Sequence, residues 1–128
     1  MLKRGPIPAV VHGLIEYVAG VLLIVAPILV DYGSSGATAV SVILGVLILI
    51  IAASSDMPTG LIPQIPVGAH IVLDFVLAAV LIAAPFVFGF SGESTPTWIF
   101  VILGILHLLV TIATRFQPDP GVGPRRTG

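Results

Sequence analysis

Ile7-Pro8-Ala9-Val10-Val11-His12-Gly13-Leu14-Ile15-Glu16-Tyr17 recurs fifty-eight residues later as Ile65-Pro66-Val67-Gly68-Ala69-His70-Ile71-Val72-Leu73-Asp74-Phe75. Each copy runs on through an apolar stretch to a second Ala-Pro pair, Ala26-Pro27 and Ala84-Pro85. Between Ile7–Tyr32 and Ile65–Phe90, eight of twenty-six positions are identical: Ile7, Pro8, His12, Val18, Leu23, Ile24, Ala26 and Pro27. Two further positions, Glu16/Asp74 and Tyr17/Phe75, keep their chemistry. A duplication of fixed period that holds a histidine, an acid and two prolines in register marks a chain built from two repeats.

The solvent for that duplication follows from composition. Charged residues make up 9% of the 128 and hydrophobic ones 57%, against about 25% and about 45–50% in soluble domains. A water-soluble fold of this size has no interior large enough to hide so much apolar surface, so the chain is read as a membrane protein. Cysteine is absent, which excludes disulfides and thiolate metal sites. A net charge of −1 leaves no electrostatic footprint for nucleic acid.

Four spans are predicted. Helix one covers about 8–30 and helix two about 37–53, joined by the polar turn 31–36. The stretch 54–64, with Asp56, Pro58, Gly60 and Pro63, breaks the apolar pattern and reads as the linker between repeats. Helix three covers about 66–88 and helix four about 96–114. Proline at Pro8, Pro66 and Pro96 is placed at the first helical position, where its missing N–H has no partner to lose. Helices two and four also correspond, with Gly45-Val46-Leu47 matching Gly104-Ile105-Leu106. Repeat one is thus 7–53, repeat two 65–114, and the tail 117–128, which has no apolar period, is expected to be disordered. The basic N-terminus before an apolar run resembles a signal peptide, but its recurrence at 65–90 identifies a retained span.

The fold class predicted is all-α: two tandem helical hairpins related by a pseudo-twofold along the membrane normal, as in parallel-repeat membrane proteins. All five basic residues, Lys3, Arg4, Arg115, Arg125 and Arg126, flank the termini, and the turns 31–36 and 89–95 carry none. The positive-inside rule then places both termini in the cytoplasm and the protein in the plasma (inner) membrane. Tyr32, Phe86, Phe88, Phe90 and Trp98 are expected to form an aromatic belt at the outer interface.

The run Asp74-Phe75-Val76-Leu77 through Ala84-Pro85-Phe86-Val87-Phe88-Gly89-Phe90, followed by a short polar turn, Trp98 and a Gly104-containing helix, resembles the repeat of the SPW-repeat membrane proteins. Here the motif position reads Ala26-Pro27-Ile28 and Ala84-Pro85-Phe86. The resemblance implies a two-helix repeat and a membrane location, and no established activity.

His12 and Glu16, like His70 and Asp74, lie four apart and share a helix face. An ionisable group below the headgroups costs about 2.5–3.5 kcal/mol even on lenient insertion scales, so each pair is expected to face the bundle interior. The leading reading is a polar clasp in which each histidine meets its own acid or that of the other repeat. Contact with a neighbouring subunit comes second. A two-His, two-carboxylate metal site and a proton- or ion-handling relay complete the set. His107, whose repeat counterpart is Ile48, is a secondary candidate, as a third ligand or a carbonyl-bonded histidine. Pro27 and Pro85 are read as matched helix kinks. Small residues (Gly20, Ser41/Gly45, Ala79/Ala83, Gly104) are expected at close helix crossings.

No P-loop, G-x-S-x-G or H-E-x-x-H pattern is present, so no enzyme and no cofactor are predicted. The function expected first is that of a non-enzymatic accessory or structural subunit packing against a larger membrane complex, respiratory or transport, surrounded by lipid. A homo-oligomer is a second form of partnership. The alternative is a small proton or divalent-cation carrier or channel that uses the intramembrane His/acid cluster.

Overall fold

In the computed structural model residues 5–116 are described, and the expectation for the tail 117–128 lies outside them. Four helices follow one another: α1 (Ala9–Leu29), α2 (Ser35–Ala53), α3 (Val67–Val87) and α4 (Ser94–Ala113). Each is long and apolar enough to cross a membrane. At about 1.5 Å per residue, helices of this length span roughly 30 Å, the thickness of a hydrocarbon core. Large apolar side chains such as Val18, Ile28, Leu29, Ile43 and Val72 point outward, the inverse of a soluble bundle and what lipid requires. α1 packs on α2 and α3 on α4, which makes two tandem hairpins.

Helix starts differ from expectation by a residue or two. Pro8 and Pro66 precede α1 and α3 as extended N-caps, with ψ 149° and 153°. The reason is a pair of parallel backbone bridges. Ile7–Pro8 (β1) pairs with Thr114–Arg115 (β2) in the register Ile7↔Thr114 and Pro8↔Arg115, and Ile65 pairs with Ser55. Extended backbone is needed there, so the helices begin one residue later. α4 begins at Ser94, two residues before the expected start, and Pro96 falls inside its first turn. That position needs no N–H, so the earlier start costs nothing. Ser34 caps α2 by accepting from the Ala37 N–H at 3.1 Å.

The two bridges are equivalent under the duplication, and they are exchanged. The start of repeat one is held by the end of repeat two, and the start of repeat two by Ser55, just past the end of α2. The linker 54–64 is therefore no free connector: Asp56 N donates to Ile65 O at 2.8 Å, and Leu61 N to Ala53 O at 2.7 Å.

Glycine permits the hairpin crossings. A methyl group on Gly45 would stand 2.6 Å from the Gly20 carbonyl oxygen, and one on Gly104 would stand 3.0 Å from the carbonyl of Ala78. The small residue opposite Gly104 is thus Ala78, and Ala79 and Ala83, expected in that role, are exposed. The aromatic belt also needs correcting. Phe86, Phe88 and Trp98 are exposed, but Tyr32 and Phe90 are buried. Phe90 stacks edge-on against Phe100 with centroids 5.2 Å apart. Tyr32 instead meets the Ser41 hydroxyl at 3.1 Å. The hydroxyl of Ser41 donates to Leu23 O at 2.5 Å, the carbonyl that Pro27, four residues on, cannot serve. Pro27 and Pro85 each have only two helical residues after them, so their effect falls on helix ends.

Candidate functional site

Two turns into α1 and α3 the duplicated pairs meet. His12 is the fourth residue of α1 and Glu16 the eighth; His70 and Asp74 hold the same places in α3. Spaced by four, each pair projects from one face, and both faces turn to the bundle axis. His12, His70 and Asp74 are fully buried and Glu16 nearly so.

The pairs interlock across the repeats. His12 Nε2 lies 2.9 Å from Asp74 Oδ2 and 3.2 Å from Glu16 Oε2. His70 Nε2 lies 3.1 Å from Glu16 Oε2 and 3.1 Å from Asp74 Oδ2. Two nitrogens and two oxygens thus alternate around a closed ring. Each carboxylate touches both histidines, and each histidine touches both carboxylates. Own-acid and other-acid contacts, alternatives at the level of sequence, are both made.

The far side of each imidazole is held by a hydroxyl that sequence reading did not single out. His12 Nδ1 is 2.8 Å from Thr114 Oγ1, and His70 Nδ1 is 2.6 Å from Ser55 Oγ. Both hydroxyls donate their proton to a helix carbonyl, Thr114 to Val110 O and Ser55 to Ile51 O, each at 2.5 Å. Ser55 and Thr114 occupy corresponding ends of α2 and α4, fifty-nine residues apart, the offset that relates Gly45 to Gly104. That match was the available signal. Each hydroxyl comes from the end of one repeat and reaches the histidine of the other, through the exchanged bridges.

A hydroxyl whose proton goes to a carbonyl can only accept from imidazole. The network therefore assigns the Nδ1 proton on both rings. Nε2 of each histidine then faces the two carboxylate oxygens.

His107, on α4, is buried beside the ring, with Nε2 3.4 Å from Asp74 Oδ1. Among the described residues neither atom has a hydrogen-bond partner. The carbonyl of His107 is occupied by the Thr111 hydroxyl at 2.8 Å. Phe116 closes the same end of the bundle, its ring centroid 4.9 Å from that of His12 and 6.3 Å from that of His70. Tyr17 donates to Thr59 O at 2.8 Å and fastens the linker against α1. All four side chains of the ring are shielded from solvent.

One ligand atom from each of His12, Glu16, His70 and Asp74 lies within 4.8 Å of all the others. The four residues named from sequence are brought together, with His107 on their flank and Pro27 and Pro85 at the opposite end of the helices. No curated protein and no solved structure matches the chain. The model of the SPW repeat domain, however, matches residues 10–114, a span that runs from the first turn of α1 to the Thr114 that anchors His12, and the chain belongs to that family.

Proposed function

We propose that this protein is a small cation carrier of the membrane, with the His12–Glu16–His70–Asp74 ring as its working part and no covalent chemistry of its own. The observation that supports this is the closed alternation of two Nε2 atoms and two carboxylate oxygens at 2.9–3.2 Å. Two carboxylates in a low-dielectric interior demand two compensating positive charges. Two protons or one divalent cation supply them equally well, and a site that can be neutralised by either suits the passage of either. Sealing by Phe116 and the linker means that release requires those two elements to part.

Reconstitution into liposomes loaded with pH- and divalent-sensitive dyes tests the reading. Wild-type protein is expected to move protons or divalent cations. The double variant Glu16→Gln/Asp74→Asn should not, while remaining helical and monodisperse in spite of the stability it loses. Wild-type vesicles as tight as protein-free ones would overturn it.

The partner-subunit reading draws on the apolar outer surface, which lipid covers equally well; co-purification from native membranes decides between them. The clustering of Lys3, Arg4, Arg115, Arg125 and Arg126 near the termini supports a cytoplasmic placement of both ends. Because the chain has no cysteine, single cysteines introduced at the exposed Pro6 and at Gly92 would report sidedness by labelling of intact cells.

A further inference from the structure

We infer that the ring is a built site for one divalent transition-metal ion of the zinc type, bound through Nε2 of His12 and His70 and one oxygen each of Glu16 and Asp74. The inference rests on the cation-carrier reading for its biological sense, and on separate geometry for its chemistry.

The anchoring hydroxyls come first. Ser55 and Thr114 fix the Nδ1 proton on both rings, because their own protons go to Ile51 O and Val110 O. A neutral imidazole held this way presents the Nε2 lone pair to the centre. Metal-bound histidines are oriented in the same manner, by donating the other ring N–H to an outer-shell acceptor. Both halves of the duplication carry the device, with its hydroxyl supplied each time from the other repeat.

The ring also brings four ligand atoms of the right kind close together. Each Nε2 makes its hydrogen bond to the acid of the other repeat, His12 to Asp74 at 2.9 Å and His70 to Glu16 at 3.1 Å, and stands almost as close to its own acid, at 3.2 and 3.1 Å. Ligands at about 2.0–2.1 Å from a tetrahedral zinc are about 3.3 Å apart. The four N···O edges need to widen by only a few tenths of an ångström to accept one, and the N···N and O···O diagonals, all within 4.8 Å, to draw in to the same length. A dication with two carboxylates and two neutral imidazoles is also uncharged overall, as a buried site requires.

A second observation points to the same occupant. Among the described residues Asp74 Oδ1 and His107 Nε2 are buried without hydrogen-bond partners. They face each other across 3.4 Å, where repeat two has His107 and repeat one has Ile48. Ligating carboxylates are themselves held from outside. With Oδ2 on the metal, Oδ1 is left to His107, which acts as a positioning residue for Asp74. Two imidazoles favour zinc, iron, cobalt or nickel over magnesium or calcium, and the lack of cysteine removes the soft ligands that select copper(I).

The test uses the full chain in mild detergent, with any polyhistidine tag removed. Zinc is measured after dialysis, and cobalt(II) is titrated as a coloured substitute. One ion per chain and the intense visible bands of low-coordinate cobalt are expected. The pair His12→Gln/His70→Gln should abolish both. Should that variant fail to fold, Ser55→Ala/Thr114→Val keeps all four ligands and is expected to weaken binding about 10–100-fold. His107→Gln should shift the cobalt spectrum while leaving one ion bound. Wild-type protein that stays helical and monodisperse in excess zinc or cobalt and binds neither overturns the inference. Proton flux without metal binding would then leave the carrier reading standing. Metal binding without flux of any cation would overturn the carrier reading and leave this site.

Discussion

Thr114 holds the Nδ1 of His12 at 2.8 Å across a sequence separation of 102 residues. Its hydroxyl lies at the end of the second repeat and its histidine near the start of the first. The equivalent bond, from Ser55 to His70, spans only fifteen positions at 2.6 Å. One device therefore closes the molecule from end to end and also folds the linker. The two uses differ in loop length and agree in local geometry.

That difference can be tested by mutant cycles. Thr114→Val should cost about 1–3 kcal/mol, because it leaves a buried imidazole N–H without an acceptor. The loss should couple more strongly to substitution of His12 than to substitution of His70, which lies one step further round the ring. Ser55→Ala should show the reverse pattern. Unfolding in mixed detergent micelles, followed by circular dichroism, measures both.

The two acids are not equivalent. Asp74 meets His12 and His70 through Oδ2 and turns Oδ1 to His107, whereas Glu16 meets only the first two. Asp74→Asn should cost about 3–5 kcal/mol, the usual loss when one side of a buried charge pair is removed. Glu16→Gln should cost about 1 kcal/mol less, the worth of one weak contact. Equal losses in the same unfolding assay would count against a structural role for His107.

The hairpin crossings should respond unequally to a methyl group. At Gly45 the nearest obstacle is backbone, the Gly20 carbonyl at 2.6 Å. At Gly104 it is a side-chain atom, Ile82 Cγ1 at 2.6 Å, with the Ala78 carbonyl at 3.0 Å. A side chain can turn aside and a carbonyl in a helix cannot. Gly45→Ala is expected to cost about 1–3 kcal/mol, and Gly104→Ala measurably less, as judged by midpoint shifts in thermal denaturation.

At the other end of the bundle the prediction concerns alkali. Burial raises the Tyr32 phenol above its ordinary value of 10.0, partly offset by the Ser41 hydrogen bond. A proton held more tightly in the folded state adds stability that is complete below the unfolded value and disappears as pH rises through the folded one. Wild-type stability should therefore fall more steeply above pH 10 than that of Tyr32→Phe. Ser41→Ala should cost about 1–3 kcal/mol at neutral pH, since it strips the Leu23 carbonyl of its donor.

Much of this architecture was legible before any coordinates. Length and apolarity dictate four spans, because a chain with 9% charged residues has no other way to hide its surface. The repeat of Ile-Pro, His, acid and Ala-Pro dictates two hairpins of one topology. Four-residue spacing puts each histidine and acid on a single face, and the cost of an exposed ion in lipid turns that face inward. Ala78, four residues after Asp74, shares its inward face, so its choice over Ala79 and Ala83 was already available in the sequence.

Only the closed bundle decided the rest. Ser55 and Thr114 look like ordinary end-of-helix hydroxyls until the exchanged bridges carry each to the opposite repeat. Tyr32 and Phe90 could equally have faced the headgroups. Their burial follows from Ser41 in one repeat and Phe100 in the other. Which acid each histidine meets, and that it meets both, is a property of two helices held side-chain length apart. Local sequence sets what a segment can offer; the partner it finds depends on how the chain ends are joined.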